Sequence, residues 1–210
     1  MKKEKILCVP RVDLPLAWLP DSDALELSWS RFIECSALMK PLFIDRSDAE
    51  HDCDYKQVIP YILLLDESER LAVYSRNGSE KRLNGCLSIA VGGHLRADDF
   101  TDPALPWPEL AAKALQRELS EELPGFIPAY PAEFLGLINE EKTAVGLVHI
   151  GLVFVFTGVN ADNIFPGEEL KNLTWVRQCD LFSEPVQQFE LWSELALKLL
   201  QKRNPNRVSK

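Results

Sequence analysis

The segment ELAAKALQRELSEE, from Glu109 to Glu122, constrains this chain more than any other stretch. Glu118, Glu121 and Glu122 follow the spacing i, i+3, i+4, which on an α-helix places three carboxylates on one face about a turn apart. Like charges so close repel by a few tenths of a kcal/mol per exposed pair, and by more when desolvated. A helix that keeps them together needs positive charge among them. Mg²⁺ suits the position because it prefers hard oxygen ligands and keeps several waters. Arg117 precedes the cluster and can neutralise part of it and orient one carboxylate. The competing reading is a solvated helix face that does nothing beyond solubility.

The surrounding spacing decides between them. Glu109 stands eight positions before Arg117, and Gly92-Gly93 closes an apolar run further upstream. These residues resemble the Nudix hydrolase family, whose box reads G-x5-E-x7-R-E-U-x-E-E-x-G-U with U aliphatic. Glu109, Arg117, Glu118, Glu121 and Glu122 match its five charged positions. The resemblance implies Glu121 and Glu122 as metal ligands, Glu118 as a ligand or the base that activates water, and the Gly92 carbonyl as a further ligand. It implies that Gly93 opens the box loop and that Arg117 and Glu109 pin helix to loop by charge pairing. The cofactor it implies is Mg²⁺ or Mn²⁺.

Two positions depart from the box. Pro103 stands where the first glycine belongs, and counting from Gly93 leaves fifteen residues before Glu109 where the box has five. The ten extra residues fall within HLRADDFTDPALPWP (94–108), whose Asp and Pro content reads as a loop insertion. A longer loop costs little, about 0.6 kcal/mol per doubling. At the helix end Pro124 replaces the box glycine and Gly125 follows, both ordinary stop signals.

A length of 210 residues suits one domain, or a domain with an extension. Hydrophobic content of 46% and charged content of 26% are those of a soluble globular chain. A net charge of −9 argues against a surface that tracks long nucleic acid, though not against a small phosphate ligand bridged by metal. Five scattered cysteines without C-x-x-C spacing read as reduced thiols of a cytoplasmic protein. The apolar stretch in MKKEKILCVP is too short for a signal peptide, and no run reaches the length of a membrane span.

Along the chain the pattern alternates. Ile6 to Val9 reads as a strand, Asp21 to Met39 as a helix from the spacing of Leu25, Trp29, Phe32 and Ile33, and 45–54 as a connection. VIPYILLL, LAVYSR and CLSIAV read as strands, with a tight turn at Asn77-Gly78. EFLGLI and GLVHIGLVFVF form a hairpin around NEEKTA, LTWV is a short strand, and Phe189, Trp192, Leu195 and Leu199 mark a terminal amphipathic helix. The resemblance implies an α/β/α sandwich with a mixed β-sheet over residues 57–203, preceded by an extension over 1–56 and followed by a disordered tail over 204–210.

Outside the box, Glu168-Glu169 resembles the late-loop glutamates that bind metal or act as base in such proteins, against an even alternative of a charged loop. His94 and Arg76 are candidates for a substrate phosphate. His149, within a strand, reads as structural, and Trp107 as a loop anchor. The implied activity is metal-dependent hydrolysis of a nucleoside diphosphate linked to another moiety, or of a similar organic pyrophosphate. The alternative is a Nudix-like nucleotide-binding or regulatory module without hydrolysis. Partners reduce to a small phosphate-containing substrate, with no long nucleic acid, no membrane, and a homodimer left open. The upstream stretch resembles a bacterial branch of Nudix proteins known as predicted phosphoesterases.

Overall fold

The computed structural model describes residues 4–19, 23–76, 86–100, 105–167, 170–182 and 189–203. Its centre is a pair of long apolar strands. β4 (Tyr55–Asp66) runs parallel to β9 (His149–Val159), with Gln57 opposite His149 and Tyr61 opposite Val153. Strands buried on both faces read as near-continuous apolar runs, and both do. Alternate side chains part to two layers. Val58, Ile62 and Leu64 of β4 meet Phe154 and Phe156 of β9 on one face, while Ile59, Tyr61, Leu63 and Leu65 lie with Val153 and Val155 on the other.

A helix covers each layer. α3 (Trp107–Glu122) packs Ala111, Ala114, Leu115 and Leu119 on the first. α5 (Leu191–Arg203) packs Trp192, Leu195, Leu199 and Leu200 on the second. The result is a mixed α/β sandwich. The sheet path runs β10 (Leu170–Arg177), β5 (Arg70–Arg76), β4, β9, β8 (Glu133–Ile138), β2 (Ala24–Glu26). β8 and β9 are antiparallel, as their hairpin pattern predicts. Pro60 falls between the stretch of β4 paired with β1 (Lys5–Pro10) and the stretch paired with β7 (Ala90–Gly92), where its missing N–H costs no partner on that edge.

The first 56 residues enter the same sheet. β1 pairs with β4 and with β3 (Leu42–Asp45), and β2 adds to the edge of β8. Gly136, at φ 141°, marks the bulge where β2 passes, and a Cβ there would overlap the Leu25 carbonyl. The helix predicted over Asp21 to Met39 is shorter, α1 (Trp29–Ser36), because Leu25 is drawn into β2. The 45–54 connection holds one short helix, α2 (Arg46–Ala49), and two short strands, β6 (Leu87–Ser88) and β7, divide CLSIAV. A further short helix, α4 (Ala144–Val148), opens what reads in sequence as the start of β9. The Asn77-Gly78 turn and the 204–210 tail lie outside the described residues. Among the described residues, no helix is long and apolar enough to cross a membrane.

Candidate active site

α3 starts with Pro108 in its first turn, where a missing N–H is harmless, and ends at Glu122, two residues before Pro124. Gly125 then adopts φ 84°, the left-handed turn that glycine permits. Its buried stripe runs Ala111, Ala114, Leu115, Glu118, Leu119. Glu118 therefore takes a core-facing position, and helix phase alone buries it to 4% exposure. Glu121, off the stripe, is exposed, and Glu122 is half-buried.

The Gly92-Gly93 pair makes room for that carboxylate. Gly92 closes β7 opposite Tyr61, and a Cβ on Gly93 would overlap the carboxylate of Glu118. Only glycine lets the loop backbone pass so close. Burial pushes the Glu118 carboxyl above its ordinary range, against the pull of the Arg117 charge. Arg117 Nη2 stands 2.7 Å from Glu118 Oε1, yet Oε1 receives no hydrogen bond of acceptable geometry. The contact is an ion pair that leaves the oxygen's lone pairs unfilled.

Arg117 is turned towards the insertion. Its Nε donates to Asp99 Oδ1 at 2.5 Å, and its Nη2 donates to Asp99 Oδ2 at 2.8 Å and to the His94 carbonyl at 2.9 Å. Hydrogen bonding to Asp99 raises the Arg117 pKa further above its ordinary value. The sequence reading has both Arg117 and Glu109 pin helix to loop by charge pairing, and Arg117 does so. In the structure Glu109 is exposed in the first turn of α3, and eight residues of helix, about 12 Å, separate the two. Glu121 is held by Arg117 Nη1 at 3.2 Å and by both terminal nitrogens of Arg96 at 3.1 and 3.2 Å. Arg96 also reaches Glu4, which Arg46 contacts at 3.1 Å. Neither Arg96 nor Asp99 stands in the box spacing.

His94 points inward. Gln57 Nε2 donates to the Ala49 carbonyl, which leaves Gln57 Oε1 to accept from His94 Nε2 at 2.8 Å. His149 Nδ1 donates to the Val145 carbonyl at 2.8 Å, and the two histidine Nε2 atoms lie 3.4 Å apart. Burial, with Arg46, His149 and Arg96 nearby, lowers His94 to a pKa of about 3, so the ring is neutral at physiological pH. Trp107 packs edge-on to Phe32 and donates to the Ser36 carbonyl, an anchor for the helix start. Arg76 ends β5, and its side chain lies outside the described residues, as do Glu168 and Glu169. Gly167, just before that pair, donates its N–H to the Glu122 carbonyl at 2.8 Å.

The oxygens suit a hard divalent cation: one orphaned carboxylate oxygen on Glu118, a glycine cradle, and two further carboxylates within one turn. Among the described residues, no three His, Cys, Asp or Glu side chains converge on a single point. The charge between them is supplied by Arg96 and Arg117.

No protein-family profile matches the chain. Protein YmaB of Bacillus subtilis (strain 168) is 29% identical over 211 residues, covering 94% of this chain and 98% of that protein. The crystal structure of Tm1382, a candidate Nudix hydrolase, superposes with a TM-score of 0.74 at 28% identity, covering 95% of this chain and all of that one. The Nudix domain of Shewanella oneidensis NrtR, solved with ADP-ribose, has a TM-score of 0.50 at 14% identity, covering 70% of this chain and 88% of that one, a likeness of fold. The fold is therefore the Nudix fold. By fold, and by full-length likeness at 28% identity to a candidate Nudix hydrolase, the chain is similar to the Nudix (MutT-like) hydrolases. The likeness to YmaB and to Tm1382 extends into the first 56 residues, where the sequence shows no box motif.

Proposed function

We propose that this protein is a divalent-metal-dependent hydrolase that cleaves the diphosphate linkage of a nucleoside diphosphate joined to another moiety, or of a similar organic pyrophosphate. The observation that carries the reading is Glu118, a buried carboxylate seated in the space that Gly93 leaves and short of hydrogen bonds. Evolution tolerates such a cost where chemistry needs it.

Glu118, Glu121 and Glu122, with the Gly92 carbonyl, would hold Mg²⁺ or Mn²⁺. That ion supplies charge neutralisation at the diphosphate oxygens and a lower pKa for the attacking water. Burial makes Glu118 a better proton acceptor than an exposed glutamate, which suits it equally to ligand or base. The Arg117 charge opposes the upward pull of burial on that carboxyl. Glu168 and Glu169 remain the late-loop candidates for base or ligand, and Arg76 for substrate phosphate. The soluble, small-ligand character of the Nudix fold fits a cytoplasmic enzyme.

The test is a hydrolysis screen with Mg²⁺ and Mn²⁺ over nucleoside di- and triphosphates, dinucleoside polyphosphates and nucleotide sugars, ADP-ribose included. Glu122→Gln should lower turnover roughly a hundredfold or more while the thermal transition persists. Equal turnover by the substituted protein would refute the assignment. Nucleotide binding without cleavage by the parent would favour the binding-module alternative, for which the arginines lodged against Glu121 are the supporting observation.

A further inference from the structure

The insertion supplies a partner that the matched box positions do not. Glu109, at the box's first glutamate position, faces solvent about 12 Å along the helix from Arg117. The insertion brings Asp99 to the guanidinium instead. A 3-10 turn over Ala97–Asp99 orients the carboxylate: the Arg96 backbone N–H donates to Asp99 Oδ2 at 2.8 Å, and the Asp99 N–H bonds back to the Arg96 carbonyl. The turn is fixed in place by β1, since the Leu7 N–H donates to the Leu95 carbonyl and Ile6 bridges Arg96. Both Asp99 oxygens then take Arg117, side-on and two-pronged, with the Asp99 side chain only 7% exposed. Such bidentate pairs are the strong, geometry-setting kind.

We propose that Asp99 is the positioning residue of this site: it fixes Arg117, and through Arg117 the Glu118 carboxylate beneath Gly93. The inference rests on the metal-dependent reading above. Arg117 contacts Asp99, the His94 carbonyl, Glu118 and Glu121 at once. The Asp99 and Glu118 side chains are buried, and the fourth contact is the exposed Glu121. With Asp99 in place, Arg117 Nε is occupied and the guanidinium plane is set by the loop. Without that anchor the guanidinium plane is no longer set, and the Glu118 and Glu121 carboxylates it contacts lose the fixed orientation a divalent cation needs. Glu109, by the same geometry, is dispensable.

The experiment is a titration of the full-length protein with Mn²⁺ alone, followed by the electron paramagnetic resonance of free Mn²⁺. Asp99→Asn should weaken Mn²⁺ binding about tenfold or more, the usual effect of losing a residue that orients a ligand. Asp99→Glu, which keeps a carboxylate for the pair, should recover most of that loss, and Glu109→Gln should bind as the parent does. Arg117→Lys serves as the second route: its loss should match that of Asp99→Asn, and the double variant should lose little more than either alone. Parental Mn²⁺ affinity in Asp99→Asn, a larger loss in Glu109→Gln, or additive losses in the double variant would overturn the proposal while leaving the hydrolase reading intact. A parent that binds no Mn²⁺ at millimolar concentration would overturn both.

Discussion

Glu118 and Glu140 are both buried carboxylates pressed against a glycine, and the protein treats them in opposite ways. Glu140 is fully buried at the end of the β8 turn, and a Cβ on Gly146 would overlap it just as one on Gly93 would overlap Glu118. Its oxygens accept from the backbone N–H groups of Lys142 at 2.7 Å and Thr143 at 2.9 Å, from the Thr143 hydroxyl and from Trp192 Nε1. Beside it Glu141 holds the buried Lys56 at 2.8 Å and Arg11 at 2.6 Å. Burial lowers the Lys56 pKa, and the two cations lower that of Glu141 against the opposing effect of its own burial. Glu118 has one arginine, a poor angle and an orphaned oxygen. A buried carboxylate with every lone pair filled closes a turn. One left short of partners is held for something else.

The contrast can be broken most severely at Glu140. Glu140→Ala should strand two backbone donors, a hydroxyl and an indole N–H, costing about 3 kcal/mol or more in urea unfolding. If that variant is as stable as the parent, the carboxylate does not hold the turn. The opposite sign is expected at Glu118, where ionisation in the folded protein is a cost. Glu118→Gln should raise the melting temperature at neutral pH by about 2–4 °C, the equivalent of about 1 kcal/mol in a chain this size. The raised Glu118 pKa sets the pH dependence. The parent regains this stability as pH falls through the folded-state pKa and Glu118 protonates, so the difference between the two proteins should shrink in acid. A Glu118→Gln variant that melts lower than the parent at pH 7 would mark Glu118 as structural. The smallest effect is expected at Arg96, which lies against Glu121 where a cation would sit. Arg96→Gln should tighten Mn²⁺ binding by about two- to fivefold, since an exposed ion pair contributes about 1 kcal/mol or less.

The helix, the glycine pair, the β8–β9 hairpin and the terminal helix were legible because each carries a local period or a fixed spacing. Glu118 could be singled out from i, i+3, i+4 spacing, although its burial required knowing which stripe of α3 meets the sheet. Asp99 could not be found in this way. It lies 18 residues from Arg117 in a loop without period, and only tertiary packing brings the two together. Leu25 misled for a related reason: its spacing with Trp29 and Phe32 fits a helix, but the open edge of β8 recruits it into a strand. His94 read as a candidate for a substrate phosphate because nothing local shows that Gln57, on another strand, will accept its proton.

The way β2 joins the sheet has a consequence for how the chain is made. Ala24 pairs with Ile138, so a strand synthesised early stays without its neighbour until the ribosome has added more than a hundred further residues. At about 5–20 residues per second that wait lasts roughly 6–23 s. β1 waits for β4, and Leu7 for Leu95, before either can be satisfied. β2 must therefore stay accessible and unaggregated until the hairpin at the far side of the sheet emerges. Its docking is a late event of biosynthesis, and α3 is assembled onto a sheet that β2 has not yet completed.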